Sequence, residues 1–270
     1  METRVNEIAE RIFRFSTCLE GVAPGGFTFN QFLVLADEPL LFHCGMRALF
    51  PLVSEAMKKV MPPSRLRWIS FGHVEADESG AMNQWLAAAP AATVVHGKVG
   101  CMVSIADLAD RPPRAADDGE VLTLGDRRVR VVLTPHVPHG WESLVLHEEV
   151  TGTLLGGDLL TTTGDGEPLT RRDPLEEVLD AERKFHAWAL APQSSALVRK
   201  LADLAPKRIA SMHGSSYEGD GALLLRRLAA GLDDLVDARR ASLGEGARAS
   251  RPTANVAGRP SAPSTQPQPR

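Results

Sequence analysis

The run Phe71-Gly72-His73-Val74-Glu75-Ala76-Asp77-Glu78 gathers one imidazole and three carboxylates into a few residues. Alternate side chains of an extended segment point the same way, so His73, Glu75 and Asp77 can converge on one point, and Glu78, at a helix start, can turn back toward it. Left unpaired, such carboxylates repel one another, and a multivalent cation removes that penalty. A charged first turn that satisfies a helix dipole explains the same residues without an ion, so this run alone leaves both readings open. Three further runs shift the balance toward a metal. Thr134-Pro135-His136-Val137-Pro138-His139-Gly140-Trp141-Glu142-Ser143 carries two histidines in a turn stiffened by prolines. Leu154-Leu155-Gly156-Gly157-Asp158 sets an acid behind two glycines, which allow close backbone approach in a crowded centre. Ser211-Met212-His213-Gly214 again ends on a histidine beside a glycine.

Each run follows a short β-rich segment able to carry it: Leu66–Phe71, Val129–Leu133, Thr153–Leu155 and Arg208–Ser211. Turn residues pair the remaining strands into hairpins. Phe32–Ala36 and Leu40–His43 flank Asp37-Glu38-Pro39, Val121–Leu124 and Val129–Leu133 flank Gly125-Asp126, and Leu144–His147 meets Thr153–Leu155 across Gly152. Thr93–His96 is a further short strand. Met46, Leu49, Phe50, Val53, Met57 and Val60 recur at helical steps until Pro62-Pro63 ends them. Helices are also expected over Gly80–Ala89, Pro174–Leu190, Ser194–Leu204 and Ala222–Ala241. Strand pairs followed by strands interleaved with helices predict a layered α/β body with helices outside.

The 270 residues, 43% of them hydrophobic, suffice for one large domain with a packed core. A composition shift marks its end: 246–270 is rich in proline and arginine and lacks acids, so residues 1–245 are read as the folded domain and 246–270 as a disordered tail. The net charge of −4 argues against nucleic acid as a partner, and a single tyrosine with nine phenylalanines leaves few stacking platforms. No run reaches the ~18 apolar residues of a membrane span, and the acids of the opening segment do not suit a signal peptide. Cys18, Cys44 and Cys101 are odd in number and widely spaced, which points to a reducing cytoplasm rather than to disulfides or a thiolate zinc site.

Taken in order, the HxExD run, the turn histidine, the Gly-flanked Asp and the His-Gly pair resemble the metallo-β-lactamase superfamily. More narrowly they are similar to the oxygen-binding di-iron domain of flavodiiron proteins, over roughly Thr28 to Ser216. The resemblance implies a four-layer αββα sandwich with a dinuclear centre at one edge. It implies that His73, Glu75, His139 and Asp158 hold one metal, and that Asp77, Asp158 and His213 hold the other, with Asp158 bridging. The Pro-His-Gly-Trp-Glu-Ser context favours His139 over His136, which is left as a pocket wall or as support for a ligand. One position departs from the motif: Glu78 stands where a histidine usually follows the aspartate, leaving open whether Glu78 or His136 joins the second metal.

Three imidazoles with four carboxylates favour two irons, or manganese, over zinc. The implied function is binding or reduction of O2 or NO, as a sensor or as an oxidoreductase fed by a separate redox partner. Nothing after Ser216 is long enough for a flavodoxin-like domain and no Gly-rich phosphate loop is present, so no flavin is expected in this chain. The resemblance also suggests a homodimer. The alternative is a zinc hydrolase of the same superfamily, with metal-bound hydroxide as nucleophile. His43, His96, His147 and His186 are expected not to ligate. Trp85 and Trp141 are expected in the core or pocket wall, Tyr217 in the pocket or at the surface, and Arg171, Arg172 and Asp173 at a rim or a helix cap.

Overall fold

The computed structural model describes residues 1–249, with side chains to residue 241. Seven strands form the first sheet in chain order: Thr3–Ala9 (β1), Ile12–Leu19 (β2), Phe27–Val34 (β3), Leu40–Phe42 (β4), Trp68–Ser70 (β5), Thr93–Gly97 (β6) and Arg114–Ala116 (β7). β1 to β4 run antiparallel and β4 to β7 parallel. The second sheet takes Val121–Thr123 (β8), Arg128–Leu133 (β9), Leu144–Glu148 (β10), Thr153–Leu155 (β11), Leu169–Thr170 (β12), Arg208–Ala210 (β13) and Ser216–Glu218 (β14), ordered β12-β14-β13-β11-β10-β9-β8. The three expected hairpins form, with Val34 opposite Leu40, Thr123 opposite Arg128 and Glu148 opposite Thr153.

Period-two alternation sorts the strand side chains into layers. Phe32, Val34, Leu40 and Phe42 meet Val129, Val131, Leu144 and Leu146 between the two sheets. Leu33 and Leu41, one residue out of phase, face the helices Phe50–Met57 (α1) and Met82–Ala88 (α3); the one-turn helix Ala76–Ser79 (α2) lies between them in the chain. A distorted helical stretch follows β6: Lys98–Gly100 (α4), a π turn at Cys101–Ile105 and Ala106–Leu108 (α5). On the far side Leu175–Phe185 (α6), Ser194–Ala202 (α7) and Gly221–Ala249 (α8) pack Val178, Val198, Leu201, Leu225 and Leu228 onto Val132, Val145, Leu154 and Ile209. The result is the expected four-layer αββα sandwich, each sheet covered outside by helices and inside by the other sheet.

Local departures have physical reasons. β1, β2 and the first half of β3 were not expected, because β1 mixes polar and apolar residues and β2 buries Arg14, Ser16 and Thr17 beside Ile12 and Phe15. Such strands lack the apolar alternation that marks a half-buried strand. The helix expected through Leu190 ends at Phe185, where His186 turns left-handed at φ 51°. The helix expected to end at Ala241 continues to Ala249, across the first four positions of the anticipated tail; 250–270 lie outside the described residues.

Candidate metal centre

The four histidine and acid runs meet at one edge of the sandwich, on loops that leave β5, β9, β11 and β13. One donor atom each from His73, Glu75, His139 and Asp158 lies within 4.8 Å of the others. His73 Nε2 is 2.6 Å from Glu75 Oε2, which is 3.2 Å from His139 Nε2. Asp158 turns its two oxygens opposite ways: Oδ2 lies 3.6 Å from His139 Nε2 and Oδ1 3.4 Å from His213 Nε2. His213 Nε2 is also 3.3 Å from Asp77 Oδ2. All six residues implied by the resemblance are therefore brought together, in two groups that share Asp158.

Their placement differs from the sequence expectation in one respect. Only Glu75 is extended; His73 lies in a bend, and Asp77 and Glu78 are in the first turn of α2. The helical turn sends Asp77 toward His213 and Glu78 inward. Glu78 is fully buried, its Oε2 accepting the His73 backbone N–H at 2.7 Å and lying 3.3 Å from His73 Nδ1, its Oε1 3.3 Å from His43 Nε2. His136 is half-buried, does not line the pocket and is not among the four clustered donors.

Backbone groups aim the rings. The Thr28 carbonyl in β3 accepts from His213 Nδ1 at 2.7 Å, which leaves Nε2 toward the acids, and Phe27 stacks on the same ring at 4.2 Å. Arg14 and Asn30 both donate to the Gly214 carbonyl at 3.0 Å, pinning the loop that carries His213. The His139 turn closes through Thr134 N–H to Ser143 O and His136 N–H to Gly140 O, each 2.8 Å. Gly140, at φ 78°, allows the approach to His73: a Cβ there would lie 3.0 Å from His73 Cβ and 2.7 Å from Ser143 Oγ. None of Thr28, Arg14, Asn30 or Phe27 was singled out from the sequence, because a backbone carbonyl carries no residue-type signal.

Charge follows from this packing. Burial opposes protonation of His73, yet Glu78, Glu75 and Asp158 outweigh it and push its pKa up to about 11. Burial likewise works against charge on His213 and His139, and the neighbouring carboxylates again raise both above an ordinary imidazole. The His139 and His73 hydrogen bonds hold Glu75 well below the usual carboxylate range, whereas burial raises Asp158. Asp158 Oδ1, buried, has no hydrogen-bond partner among the described residues despite its proximity to His213. A buried lone pair left this way costs about 1–3 kcal/mol, and a cation would satisfy it. Two imidazoles and two carboxylates whose donor atoms lie within 4.8 Å of one another, with a further imidazole and acid beside them, fit a transition-metal ion.

A pocket of about 520 Å³ opens over the acids and imidazoles. Phe27, Val178, Ala181, Phe185 and Trp188 wall it, and Glu75, Asp77, His139, Asp158 and His213 form its floor. Trp85 is core, its Nε1 donating to Cys44 O at 2.8 Å. Trp141 was expected in core or pocket wall but is 57% exposed and outside the pocket. Tyr217 packs against the α7–α8 core instead of the pocket. Asp173 caps α6 through the Leu175 N–H at 3.0 Å, while Arg171 and Arg172 pair with Glu218 and Glu177, so these three form a cap and surface pairs and not a pocket rim.

A four-layer sandwich with histidines and acids on its edge loops defines a metallo-β-lactamase-like protein. Residues 27–214 match the family described as ODP family beta lactamase, and the chain belongs to that family. It is similar to the rubredoxin-oxygen oxidoreductase of Megalodesulfovibrio gigas, 25% identical over 208 residues that cover 73% of this chain and 51% of the relative. Its fold is similar to the solved rubredoxin oxygen:oxidoreductase of Desulfovibrio gigas, with TM-score 0.72, 18% identity and coverage of 87% of this chain and 62% of that one. The flavodiiron core of Synechocystis gives TM-score 0.73, 19% identity and coverage of 86% and 61%. The chain spans about half the length of the curated relative just named.

Proposed function

We propose that this chain is a dinuclear non-haem iron protein that binds O2 or NO and reduces it with electrons from a separate donor. The observation that supports this most directly is Asp158, whose two oxygens face His139 and His213; a carboxylate so placed can bridge two ions. His73, Glu75, His139 and Asp158 would hold one iron, and Asp77, Asp158 and His213 the other. Two irons held there would relay the donor's electrons and offer the open positions that a diatomic ligand needs. Carboxylate-rich ligation suits iron better than zinc. The chain's own residues do the rest. Thr28 and Glu78 keep the Nδ1 atoms of His213 and His73 occupied, so Nε2 stays available. Phe27, Val178, Ala181 and Trp188 present apolar walls that favour an uncharged ligand over water. The metal-binding body would span 1–245, its last helix running on to Ala249, and the three free cysteines suit a reducing cytoplasm. No helix among the described residues is long and apolar enough to cross a membrane.

The size of the pocket favours a second reading. About 520 Å³ is far more than a diatomic requires and lies in the range of organic-ligand sites, as a zinc hydrolase would need. Elemental analysis of anaerobically purified protein, followed by oxygen uptake with a chemical reductant, separates the two. Bound iron, a near-ultraviolet change on exposure to air and sustained O2 consumption are expected. Reversible O2 uptake without consumption makes the protein a sensor, and a zinc pair with no O2 chemistry overturns the proposal in favour of hydrolysis.

A further inference from the structure

On the dinuclear reading above, we infer that the two metal positions are unequal: the His73, Glu75, His139 and Asp158 position fills first, the Asp77 and His213 position second and more weakly, because Glu78 reinforces the first and is withdrawn from the second. The first group offers two imidazoles and two carboxylates within 4.8 Å. The second has one imidazole, Asp77 and a carboxylate it must share with the first. Glu78 is the remaining acid of this run, directly after Asp77, yet neither of its oxygens faces His213. Oε2 takes the His73 N–H and approaches Nδ1, and Oε1 approaches His43, whose own Nδ1 lies 3.2 Å from the Asn30 carbonyl.

This orientation is built into the packing. Glu78 has no exposed surface, and Gly72 leaves it room: a Cβ at Gly72 would lie 2.8 Å from Oε2. Turning the carboxylate outward would break its bond to the His73 N–H and leave His43 Nε2 buried without its acid. Glu78 thus acts as a positioning residue. As acceptor at His73 Nδ1 it selects the tautomer whose Nε2 lone pair points to the metal and makes that nitrogen a stronger donor. An ion in the first position then adds Coulomb repulsion against a second one, which the smaller donor set offsets less well.

Anaerobic titration of the metal-free full chain with Co(II), followed by calorimetry and by the visible ligand-field bands, tests this. Two steps are expected, the second at least tenfold weaker, with one ion per chain surviving dialysis. Asp77→Asn should abolish the weak step and spare the tight one. Glu78→Gln should weaken the tight step by about 10–100-fold while moving the weak step far less; a merely structural loss would lower both together. If Glu78→Gln does not fold, the Asp77→Asn result decides alone. Two indistinguishable steps, or an Asp77→Asn variant that loses the tight step, overturn the inequality but leave the dinuclear reading standing. No Co(II) uptake at all removes that reading itself.

Discussion

Buried or half-buried histidines occur in two regions of this molecule, and burial acts on them alike while their pKa shifts come out opposite. At the sandwich edge His73, His139 and His213 are all pushed above an ordinary imidazole. Behind it, His96 is buried against Phe71 at 5.0 Å and is held down to about 4 by desolvation, and His147 in β10 is lowered for the same reason. Acids near by do not make the difference, since His147 sits beside Glu148 and Glu149. Those two, however, are matched by Arg127 and by Arg128 and Arg130. At the edge, the ion-pair partners of Glu75, Asp77, Glu78 and Asp158 among the described residues are histidines only. A carboxylate paired with a fixed guanidinium is finished, whereas one paired with an imidazole can exchange the proton for a metal ion.

The largest effect expected from this contrast is at the shared acid. Asp158→Ala should lose both ions, a drop in affinity beyond the ~100-fold typical of a supporting residue, read as metal per chain after dialysis. Retention of one ion would show that the two groups do not depend on a common carboxylate.

Next comes the proton exchange itself. His73 stays protonated in the metal-free protein at neutral pH, and the same acids push His139 and His213 in the same direction, so metal uptake must release protons, and apparent affinity should rise with pH by about tenfold per unit for each proton released. Calorimetry in buffers of different ionisation enthalpy counts them. The stability sign follows: because the folded pKa values lie above the unfolded ones, these imidazoles stabilise the metal-free fold below about pH 6.5, and for His73 that contribution fades as pH climbs toward about 11. The loaded protein should not show that alkaline loss. Uptake without proton release would erase the distinction between the two regions.

His96 predicts the reverse slope. Its folded pKa lies below the unfolded value, so the unfolded chain binds more protons and stability falls as pH drops from about 6.5 to about 4. The loss is on the order of 3 kcal/mol at most. Urea unfolding of His96→Gln across this range should be flatter than the parent's; an unchanged slope would move the acid sensitivity elsewhere.

How much of this could be read from the chain depended on what each residue's type encodes. The hairpins at Asp37-Glu38-Pro39 and Gly125-Asp126 announced themselves through turn chemistry, and the four-layer order followed from apolar strands alternating with amphipathic helices. Imidazoles and acids clustered at strand ends marked the four runs as candidates, and the family resemblance named the six residues within them, His139 over His136 included. What stayed hidden was orientation. Nothing in Asp77-Glu78 revealed that a helical turn would divide them, one toward His213 and the other behind His73. β1 and β2 stayed unread because their interior is partly polar, yet β2 and β3 supply Arg14, Thr28 and Asn30, which hold the His213 loop.

The smallest effect belongs to a histidine at the pocket's border. His186 ends α6 between Phe185 and Ala187, both of which line the pocket, so sequence proximity alone would make it a ligand candidate. Its Nδ1 instead lies 3.0 Å from Arg239, which also holds buried Glu182 at 2.8 Å. With its nearby acid already matched by a guanidinium, His186 belongs with His147 and not with the edge histidines. Its backbone is left-handed at φ 51°, a conformation that asparagine tolerates better than most residues. His186→Asn should therefore change stability by no more than about 0.5 kcal/mol and leave metal content and the Co(II) steps as in the parent. A variant that lost metal would mean that the carboxylate–imidazole rule drawn from the edge does not separate ligands from bystanders.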